Sequence, residues 1–276
     1  MAPSASRRAH ADRHGQLRRR RRHRPSVNDT RTELILAAGF LTRLHFPPVE
    51  YTDATMARAT RWYSAIGLAI GIALAIILFA LSTILPQAIA VLLTVAAGMV
   101  LTGALHEDGL ADLADGLGGS QSRGRALEIM RDSRIGSYGA LALGMTLTIK
   151  IAALALLPLP AAIATLIAGH ALGRGAMVWL MRNLPYARTE GAASFMDDTP
   201  RGTDGILWAF AAIALLPLWI TVSFSAAAYA LLCTAILFYL ISRRLMSRLN
   251  GYTGDSLGAA EQLTEVLIPL LILAWL

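Results

Sequence analysis

The sequence predicts an all-α protein, a polytopic membrane helix bundle with six to seven transmembrane helices. Two observations lead to this fold class. Hydrophobic residues make up 55% of the chain and charged residues only 16%, whereas soluble domains carry roughly 25% charged residues. Several apolar runs also reach the roughly 20 residues that cross the hydrocarbon core of a bilayer. Because lipid offers the backbone no hydrogen bonds, such runs are expected to be helical.

Six apolar runs are predicted as spans. In chain order they cover residues 62–84, 87–105, 138–157, 161–181, 206–223 and 225–242. Two shorter runs are ambiguous. Residues 264–276 are compatible with a short span, a re-entrant segment or a packed helix. Residues 34–46 contain Arg43 and His45, and we expect them to form an interfacial or re-entrant helix.

The excess basic charge of the chain lies near its N-terminus. Residues 1–33 contain ten Arg and three acids, a net charge of +7, and residues 34–276 contain fifteen basic and fifteen acidic side chains. Residues 1–33 are therefore predicted to be a disordered Arg-rich tail, because like charges repel and the segment has little apolar surface. Residues 34–276 are predicted to form a single integral-membrane domain. No nucleic-acid partner is expected, since the domain itself has no net charge.

The distribution of Arg predicts the orientation in the membrane. The turns at 85–86, 158–160 and 223–225 contain no Arg or Lys, whereas the loops 106–137, 182–205 and 243–263 contain ten Arg. Arg-rich loops stay in the cytoplasm, and the acids are concentrated in the same three loops. We therefore expect a multi-pass protein of the bacterial cytoplasmic (inner) membrane whose active-site loops face the cytoplasm and whose partners include the lipid bilayer.

The first of these loops carries a regular set of acids. Asp108, Asp112 and Asp115 are spaced i, i+4, i+7, so a helix would place the three carboxylates on one face. Such a cluster needs a compensating cation. Oxygen ligands without cysteine suit a hard ion, Mg²⁺ or Mn²⁺, and Mg²⁺ is commonly shared with substrate phosphates. The spacing therefore predicts phosphate chemistry at the membrane surface.

Further polar residues complete the predicted site. Arg131, Asp132, Ser133, Arg134 and Gly136 precede the third span; the two Arg can pair with phosphate oxygens, and Asp132 can add a metal ligand. The stretch that contains Gly254 and Asp255 fits either a helix cap or a second phosphate and metal loop. Arg174 lies inside a span, where a charge indicates function or a side chain that snorkels to the surface. Lys150 and His170 are interpreted as satisfied polar groups inside the bundle.

Three motifs resemble those of one known family. They are HEDGLADLADG at 106–116, MRDSRIG at 130–136 and TGDSLGA at 253–259. In their order and spacing they resemble the adenosylcobinamide-GDP ribazoletransferase (cobalamin synthase) family, over residues 40–265. One departure is Glu107, which stands where the family commonly has an apolar residue and is therefore not expected to be an essential ligand.

The resemblance implies a transferase that uses two small molecules and Mg²⁺. The adenosylcobinamide-phosphate group would pass from adenosylcobinamide-GDP to α-ribazole or its 5′-phosphate, and GMP would leave. The implied Mg²⁺ ligands are Asp108, Asp112, Asp115 and Asp132. Arg134 and Arg174 would take up charge on the donor and on GMP, and a carboxylate or His106 would act as general base. Arg131, Ser133, Gly136, Gly254 and Asp255 would contact phosphate.

Two other functions remain as alternatives at this stage. Residues 112–116 resemble the start of the Asp-rich motif of CDP-alcohol phosphotransferases, but the rest of that motif is missing. A transporter would show polar residues along its spans or inverted repeats with broken helices, and only Lys150, His170 and Arg174 interrupt the predicted spans. The oligomeric state stays open, a homo-oligomer included.

Overall fold

The computed structural model describes residues 27–188 and 204–276. The chain divides into two units, Met1–Arg31 and Thr32–Leu276, and of the first unit the structure describes only residues 27–31, the beginning of a helix. The helices of the described residues are α1 (Val27–Leu41), α2 (Asp53–Ala59), a 3₁₀ turn (Thr60–Trp62), α3 (Tyr63–Ser82), α4 (Gln87–Thr102), α5 (Leu105–Gly119), α6 (Arg123–Ile129), α7 (Ser137–Leu156), α8 (Leu159–Asn183), α9 (Asp204–Ile213), α10 (Leu216–Thr221), α11 (Phe224–Leu249) and α12 (Gly254–Trp275). These residues form no strand; Tyr186 and Tyr252 make an isolated bridge.

The predicted all-α membrane fold is confirmed. Within the described ranges, five segments are long and apolar enough to cross a membrane: Asp53–Ser82, α7, α8, α11 and α12. A sixth crossing results if α4 and α5 are counted as one broken span. Large apolar side chains such as Ile76 and Phe79 lie exposed on the outside of the bundle, as expected where lipid covers them.

The predicted span 206–223 is shorter than expected and is interrupted: the apolar helical stretch Gly205–Thr221 does not reach the length of the five spans. This stretch forms two short helices, α9 and α10, which meet near Ala214 and Leu215. Pro217 lies at the start of α10, where its missing N–H is tolerated although the same residue would interrupt a continuous helix. Ten residues of helix extend about 15 Å, so α9 alone is too short to cross the hydrocarbon core.

The predicted span 87–105 ends early and turns. Helix α4 stops at Thr102, and the next two residues, Gly103 and Ala104, both have positive φ angles, 68° and 54°. Helix α5 then leaves at 89° to α4. The acid-bearing helix α5 is therefore not the continuation of a straight span, and it lies outside the five spanning segments.

The helices at both ends of the domain are longer than predicted. The ambiguous run 264–276 is the second half of α12, a helix of 22 residues. Helix α1 begins at Val27, so residues 27–33, which we assigned to the disordered tail, are helical. Glu33 is fully buried and accepts hydrogen bonds from Arg58 Nε and Trp62 Nε1, both at 3.1 Å. This acid therefore anchors α1 to α2 and to the 3₁₀ turn.

Helix α8 forms the centre of the bundle. Of its most apolar 18 residues, 94% are buried inside the protein. Glycines allow α3 to lie directly against it, since a Cβ atom at Gly67 would be 2.3 Å from the His170 carbonyl oxygen. On its other side, Gly169 and Gly173 face the backbone of α12. Small residues at helix contacts permit close backbone approach in membrane proteins. The contact between α8 and α12 brings their polar side chains together.

Candidate active site

Helix α5 carries the predicted acids and packs against the N-terminal turns of α12. The prediction that residues 108–115 are helical is confirmed. Two glycines make the contact close: a Cβ atom at Gly109 would lie 2.9 Å from the Asp255 carbonyl oxygen, and one at Gly258 would lie 3.0 Å from His106 Cα. The glycines of the first and third motifs therefore let two helices approach until their acids share one surface.

The acids on this surface outnumber the cations. Asp108 is exposed and Asp112 is partly buried. Burial, together with the charges of Asp108, Asp255 and Asp115, raises the pKa of Asp112 to about 7, and Arg188 opposes the shift. Arg188 Nη2 donates to Asp255 Oδ2 at 2.7 Å. We call Asp108, Asp112 and Asp255, with Arg188, the acidic site.

Asp255 is available to this site because other residues cap its helix. Thr253 Oγ1 accepts a hydrogen bond from the Ser256 N–H at 3.2 Å, and Ser256 Oγ accepts one from the Thr253 N–H at 2.9 Å. This is a reciprocal capping box. The helix-cap interpretation of the third motif is therefore confirmed, with Thr253 and Ser256 as the cap. Asp255, next to Gly254, lies against α5.

Asp115 differs from the two preceding acids. It is buried, and its two carboxylate oxygens accept hydrogen bonds from the N–H groups of Gly136, at 2.7 Å, and Gly139, at 2.8 Å. A Cβ atom at either glycine would collide with this carboxylate. We therefore correct two expectations. Gly136 donates its N–H to Asp115 rather than to phosphate. Asp115 was expected to be a metal ligand, but its carboxylate binds the backbone at the start of α7 instead.

The segment that joins α6 to α7 is an exposed rim. Arg134 donates to Asp132 from Nε at 3.0 Å and from Nη2 at 2.7 Å, and this pairing lowers the pKa of Asp132 to about 2. Arg131 and Ser133 are exposed beside them. Asp132, Arg134 and Asp115 line an open depression of about 750 Å³. Asp132 was predicted as a metal ligand; here its carboxylate is bound to Arg134 instead.

A second polar group lies inside the bundle. Glu265 of α12 pairs with Lys150 of α7 and with His170 of α8, and Arg174 Nη1 donates to Glu265 Oε1 at 2.6 Å. Arg174 also pairs with Glu261, and all five side chains are buried. We call Lys150, His170, Arg174, Glu261 and Glu265 the buried ionic cluster.

The buried ionic cluster corrects one expectation and confirms two. Arg174 was predicted to bind phosphate, but it is 1% exposed and its guanidinium is already bound to two carboxylates. Lys150 and His170 are satisfied inside the bundle, as interpreted. The sequence interpretation missed Glu261 and Glu265, which we had assigned to a loop and to a short apolar run. Three basic residues within predicted spans were the signal, because charges there need partners.

The predicted metal ligands do not form one compact group. Among the described residues, the one set of three or more potential ligands with atoms within 4.8 Å of one another is His170, Glu261 and Glu265. That set is already bound to Lys150 and Arg174, so its chemistry does not call for a metal ion. The acidic site has three carboxylates and one Arg, and oxygen ligands of this kind suit Mg²⁺.

His106 lies between the two polar groups. It is 1% exposed, and neither ring nitrogen has a hydrogen-bond partner among the described residues. Its nearest acid is Glu261, with Nδ1 and Oε2 3.9 Å apart. His106 also lines a cavity of about 140 Å³ together with Asp108 and Asp255. The predicted catalytic histidine is therefore buried, but it borders a cavity of the acidic site.

Arg188 completes the acidic site, although no role was predicted for it from the sequence. It follows α8 in a stretch whose polar residues show no regular spacing. Its partner Asp255 is 67 positions away in the chain. Residues 189–203, which include Glu190, Asp197 and Asp198 of the same predicted loop, lie outside the described residues.

Comparison with known proteins identifies the family. A model of the cobalamin-5-phosphate synthase family matches residues 33–273. A protein of Leptothrix cholodnii named adenosylcobinamide-GDP ribazoletransferase is 42% identical over 242 residues, which cover 84% of this chain and 90% of that protein. A protein of the same name from Shewanella frigidimarina is 39% identical over 247 residues, 87% of this chain and 93% of its own length.

A third protein of this name, from Vibrio cholerae, is 38% identical over 247 residues, 88% of this chain and 93% of its own length. No solved structure matches the chain. The resemblance carried by the three motifs is thus confirmed over almost the whole membrane domain. The chain is an enzyme that belongs to the cobalamin-5-phosphate synthase family.

Proposed function

We propose that this enzyme transfers the adenosylcobinamide-phosphate group of adenosylcobinamide-GDP to α-ribazole or its 5′-phosphate, in an Mg²⁺-dependent reaction that releases GMP. The observation that carries the proposal is the acidic site, where Asp108 and Asp112 of α5 meet Asp255 of α12 with Arg188 as the neighbouring cation. The names of the relatives support the choice of substrates.

The reaction exchanges one bond to phosphorus for another. A ribose hydroxyl oxygen of the acceptor attacks the phosphorus atom next to the cobinamide side, and the bond from that phosphorus to the bridging oxygen breaks. GMP leaves with the bridging oxygen, and the hydroxyl proton passes to a base. Such displacements depend mainly on positioning and on neutralisation of charge.

The donor chemistry of the acidic site, three carboxylates, suits a magnesium ion, and the three side chains would have to close from a spacing wider than 4.8 Å to bind it. Asp108, Asp112 and Asp255 would hold it, and Asp115 and Asp132 would not, because backbone N–H groups and Arg134 already bind them. A bound Mg²⁺ would neutralise negative charge on the diphosphate. The raised pKa of Asp112 supports this assignment, since a carboxylate among like charges is stabilised by a cation.

The remaining polar groups would bind and orient the substrates. Arg134 is exposed at the rim of the large depression, where its guanidinium can exchange Asp132 for a phosphate of the donor. Arg131 would add positive charge to the same rim. His106 borders the smaller cavity with unpartnered ring nitrogens, so we propose it as the group that accepts the hydroxyl proton.

We also propose that the enzyme lies in the bacterial inner membrane with the acidic site toward the cytoplasm. The distribution of Arg supports this orientation: the turns at 85–86, 158–160 and 223–225 contain none, whereas the loops 106–137, 182–205 and 243–263 contain ten. Fusion of a reporter enzyme within the loop 106–137 and within the turn at 158–160 would test the orientation, and cytoplasmic activity is expected only in the loop. Cytoplasmic activity at 158–160 would contradict it.

A direct assay tests the function. Purified protein in lipid nanodiscs is given adenosylcobinamide-GDP, α-ribazole and Mg²⁺, and GMP and the new phosphodiester are quantified. We expect equal amounts of both products, and neither when the acceptor is omitted. A matched assay supplies a CDP-alcohol with the same acceptor. Turnover of the CDP-alcohol without turnover of adenosylcobinamide-GDP would overturn the proposal.

A further inference from the structure

We infer that the smaller cavity, of about 140 Å³, binds the flat aromatic base of the acceptor nucleoside. This inference rests on the proposed function and assigns one of its two substrates to a place in the fold. Residues of α1, α5, α8 and α12 line the cavity, and we call it the base cavity. Its described lining is Phe40, Leu105, His106, Asp108, Gly109, Met177, Gly254, Asp255, Leu257 and Gly258.

The walls of the base cavity are mainly apolar. Phe40, Leu105, Met177 and Leu257 contribute apolar side chains, and Met177 and Leu257 are each only 2% exposed. The volume is below the roughly 300–1,000 Å³ typical of pockets for drug-sized ligands. It is too small for a whole nucleotide or a corrin ring. A single bicyclic ring such as the benzimidazole of ribazole suits both its size and its walls.

The charge of the base cavity disfavours an anionic occupant. Its polar lining consists of Asp108, Asp255 and His106, and the described lining residues include no Arg or Lys. A phosphate group placed there would face the carboxylates of Asp108 and Asp255, and the neighbouring Arg188 is already paired with Asp255. A neutral aromatic base meets no such repulsion.

The position of the base cavity suits the chemistry of an acceptor. Asp108 and Asp255 belong both to its lining and to the acidic site. A base held between Phe40 and Met177 would therefore leave its ribose next to the carboxylates. That is where the attacking hydroxyl is needed.

The donor, adenosylcobinamide-GDP, would bind in a different cavity. The depression of about 750 Å³ borders Asp115, near the other end of α5, and includes Arg134. Asp108 and Asp115 are seven residues apart, about 10 Å along a helix. The two cavities thus flank the acids from opposite ends of α5. The larger depression, whose lining includes Arg125 and Arg134, suits the guanosine diphosphate, which leaves the base cavity to the acceptor.

A substitution that fills the base cavity tests the inference. We expect Met177→Phe to raise the KM for α-ribazole at least tenfold while the KM for adenosylcobinamide-GDP changes less than twofold. The matched control is Met145→Phe on α7, where Met145 is 58% exposed on the outside of the bundle; both KM values should stay as in the wild type. Binding of α-ribazole without donor, measured by calorimetry, should weaken by the same factor as the KM.

A second variant covers the case that Met177→Phe does not fold. Phe40→Ala enlarges the cavity, so we expect weaker binding of α-ribazole and improved relative use of a riboside with a bulkier base. The inference is overturned if either folded variant raises the KM of the donor instead, or leaves acceptor binding unchanged. Absence of GMP release by the wild type would instead reject the proposed function, so the two failures are distinguishable.

Discussion

Helix α12 carries acids in two opposite electrostatic settings. In its first turn, Asp255 joins the acidic site, where three carboxylates share Arg188 as their near cation. Farther along the helix, Glu261 and Glu265 enter the buried ionic cluster, where Lys150 and Arg174 already neutralise them. One helix thus presents unbalanced acids at its end and balanced acids inside the bundle.

This difference in charge balance distinguishes the two groups: the acidic site is suited to binding a ligand, and the buried ionic cluster links helices. Balanced charges inside the bundle connect α7, α8 and α12, and removal of one partner would leave a buried charge uncompensated. Unbalanced charges at the surface are unfavourable until a ligand supplies the missing cation. We therefore expect substitutions in the two groups to affect different properties, stability in the first and catalysis in the second.

The largest effect is expected in the buried ionic cluster. Glu265→Gln leaves Lys150 and Arg174 with the carboxylates of Glu261 and Glu107 nearby, and loss of one partner of a buried ion pair costs about 3–5 kcal/mol. We expect a large drop in the melting temperature of the detergent-solubilised protein. The control Glu128→Gln removes an exposed pair with Arg125, worth roughly 0–1 kcal/mol.

A double substitution sharpens this test. Lys150→Met combined with Glu265→Gln removes one charge of each sign, so it should recover part of the lost stability. If the double variant melts below Glu265→Gln alone, the pair between Lys150 and Glu265 does not contribute as described.

The second effect should appear in catalysis with little change in stability. Asp112→Asn removes a carboxylate of the acidic site, and loss of one group that stabilises transition-state charge costs roughly 10²–10³-fold in kcat. Its melting temperature should equal or exceed that of the wild type, because fewer like charges repel. Chelation of Mg²⁺ should abolish turnover and leave the melting temperature unchanged. Full activity of Asp112→Asn would contradict its assignment as a metal ligand.

An intermediate effect is expected at Asp115. This acid is on the same helix as Asp108 and Asp112, but it is buried and bound by backbone N–H groups. Asp115→Asn weakens the hydrogen bonds to Gly136 and Gly139, and bonds to a charged group contribute about 1.5–3 kcal/mol each to stability. We expect a lower melting temperature but an affinity for Mg²⁺ close to that of the wild type. Weaker Mg²⁺ binding at unchanged stability would restore Asp115 to the metal ligands.

The smallest effect concerns the exposed rim. Arg134→Ala should raise the KM for adenosylcobinamide-GDP about tenfold, the effect of losing one charged contact to phosphate. Stability should not change, because the side chain is 87% exposed. The control is Arg244→Ala, an exposed Arg on α11, which should leave both KM and stability unchanged. Equal effects of the two substitutions would mean that Arg134 acts only through the general positive charge of that surface.

Several features of this fold could be predicted from local sequence. The spans around residues 138–157, 161–181 and 225–242 were predicted correctly because hydrophobicity and length suffice to identify a helix in lipid. The register of Asp108, Asp112 and Asp115 followed from helical spacing. The break within 206–223 and the turn after Thr102 were missed, since apolar composition alone does not show where a helix ends.

The partners of the charged side chains could not be predicted in the same way. Arg174 was assigned to phosphate although Glu261 and Glu265 bind it, and both acids lie more than 80 positions away in the chain. Asp115 was grouped with its two neighbours by spacing, yet it alone reaches the N–H groups at the start of α7. Ion pairs and hydrogen bonds depend on distances between helices, and spacing within one helix does not contain that information.

Composition and local pattern were thus sufficient to establish a helical membrane enzyme, its family and the end of the bundle that carries the acids, since these depend on hydrophobicity and short-range spacing. Only the tertiary structure shows which acids are neutralised inside the bundle and which remain in excess at its surface. The physical reason is that the role of a carboxylate depends on its nearest cations, and here those cations come from other helices.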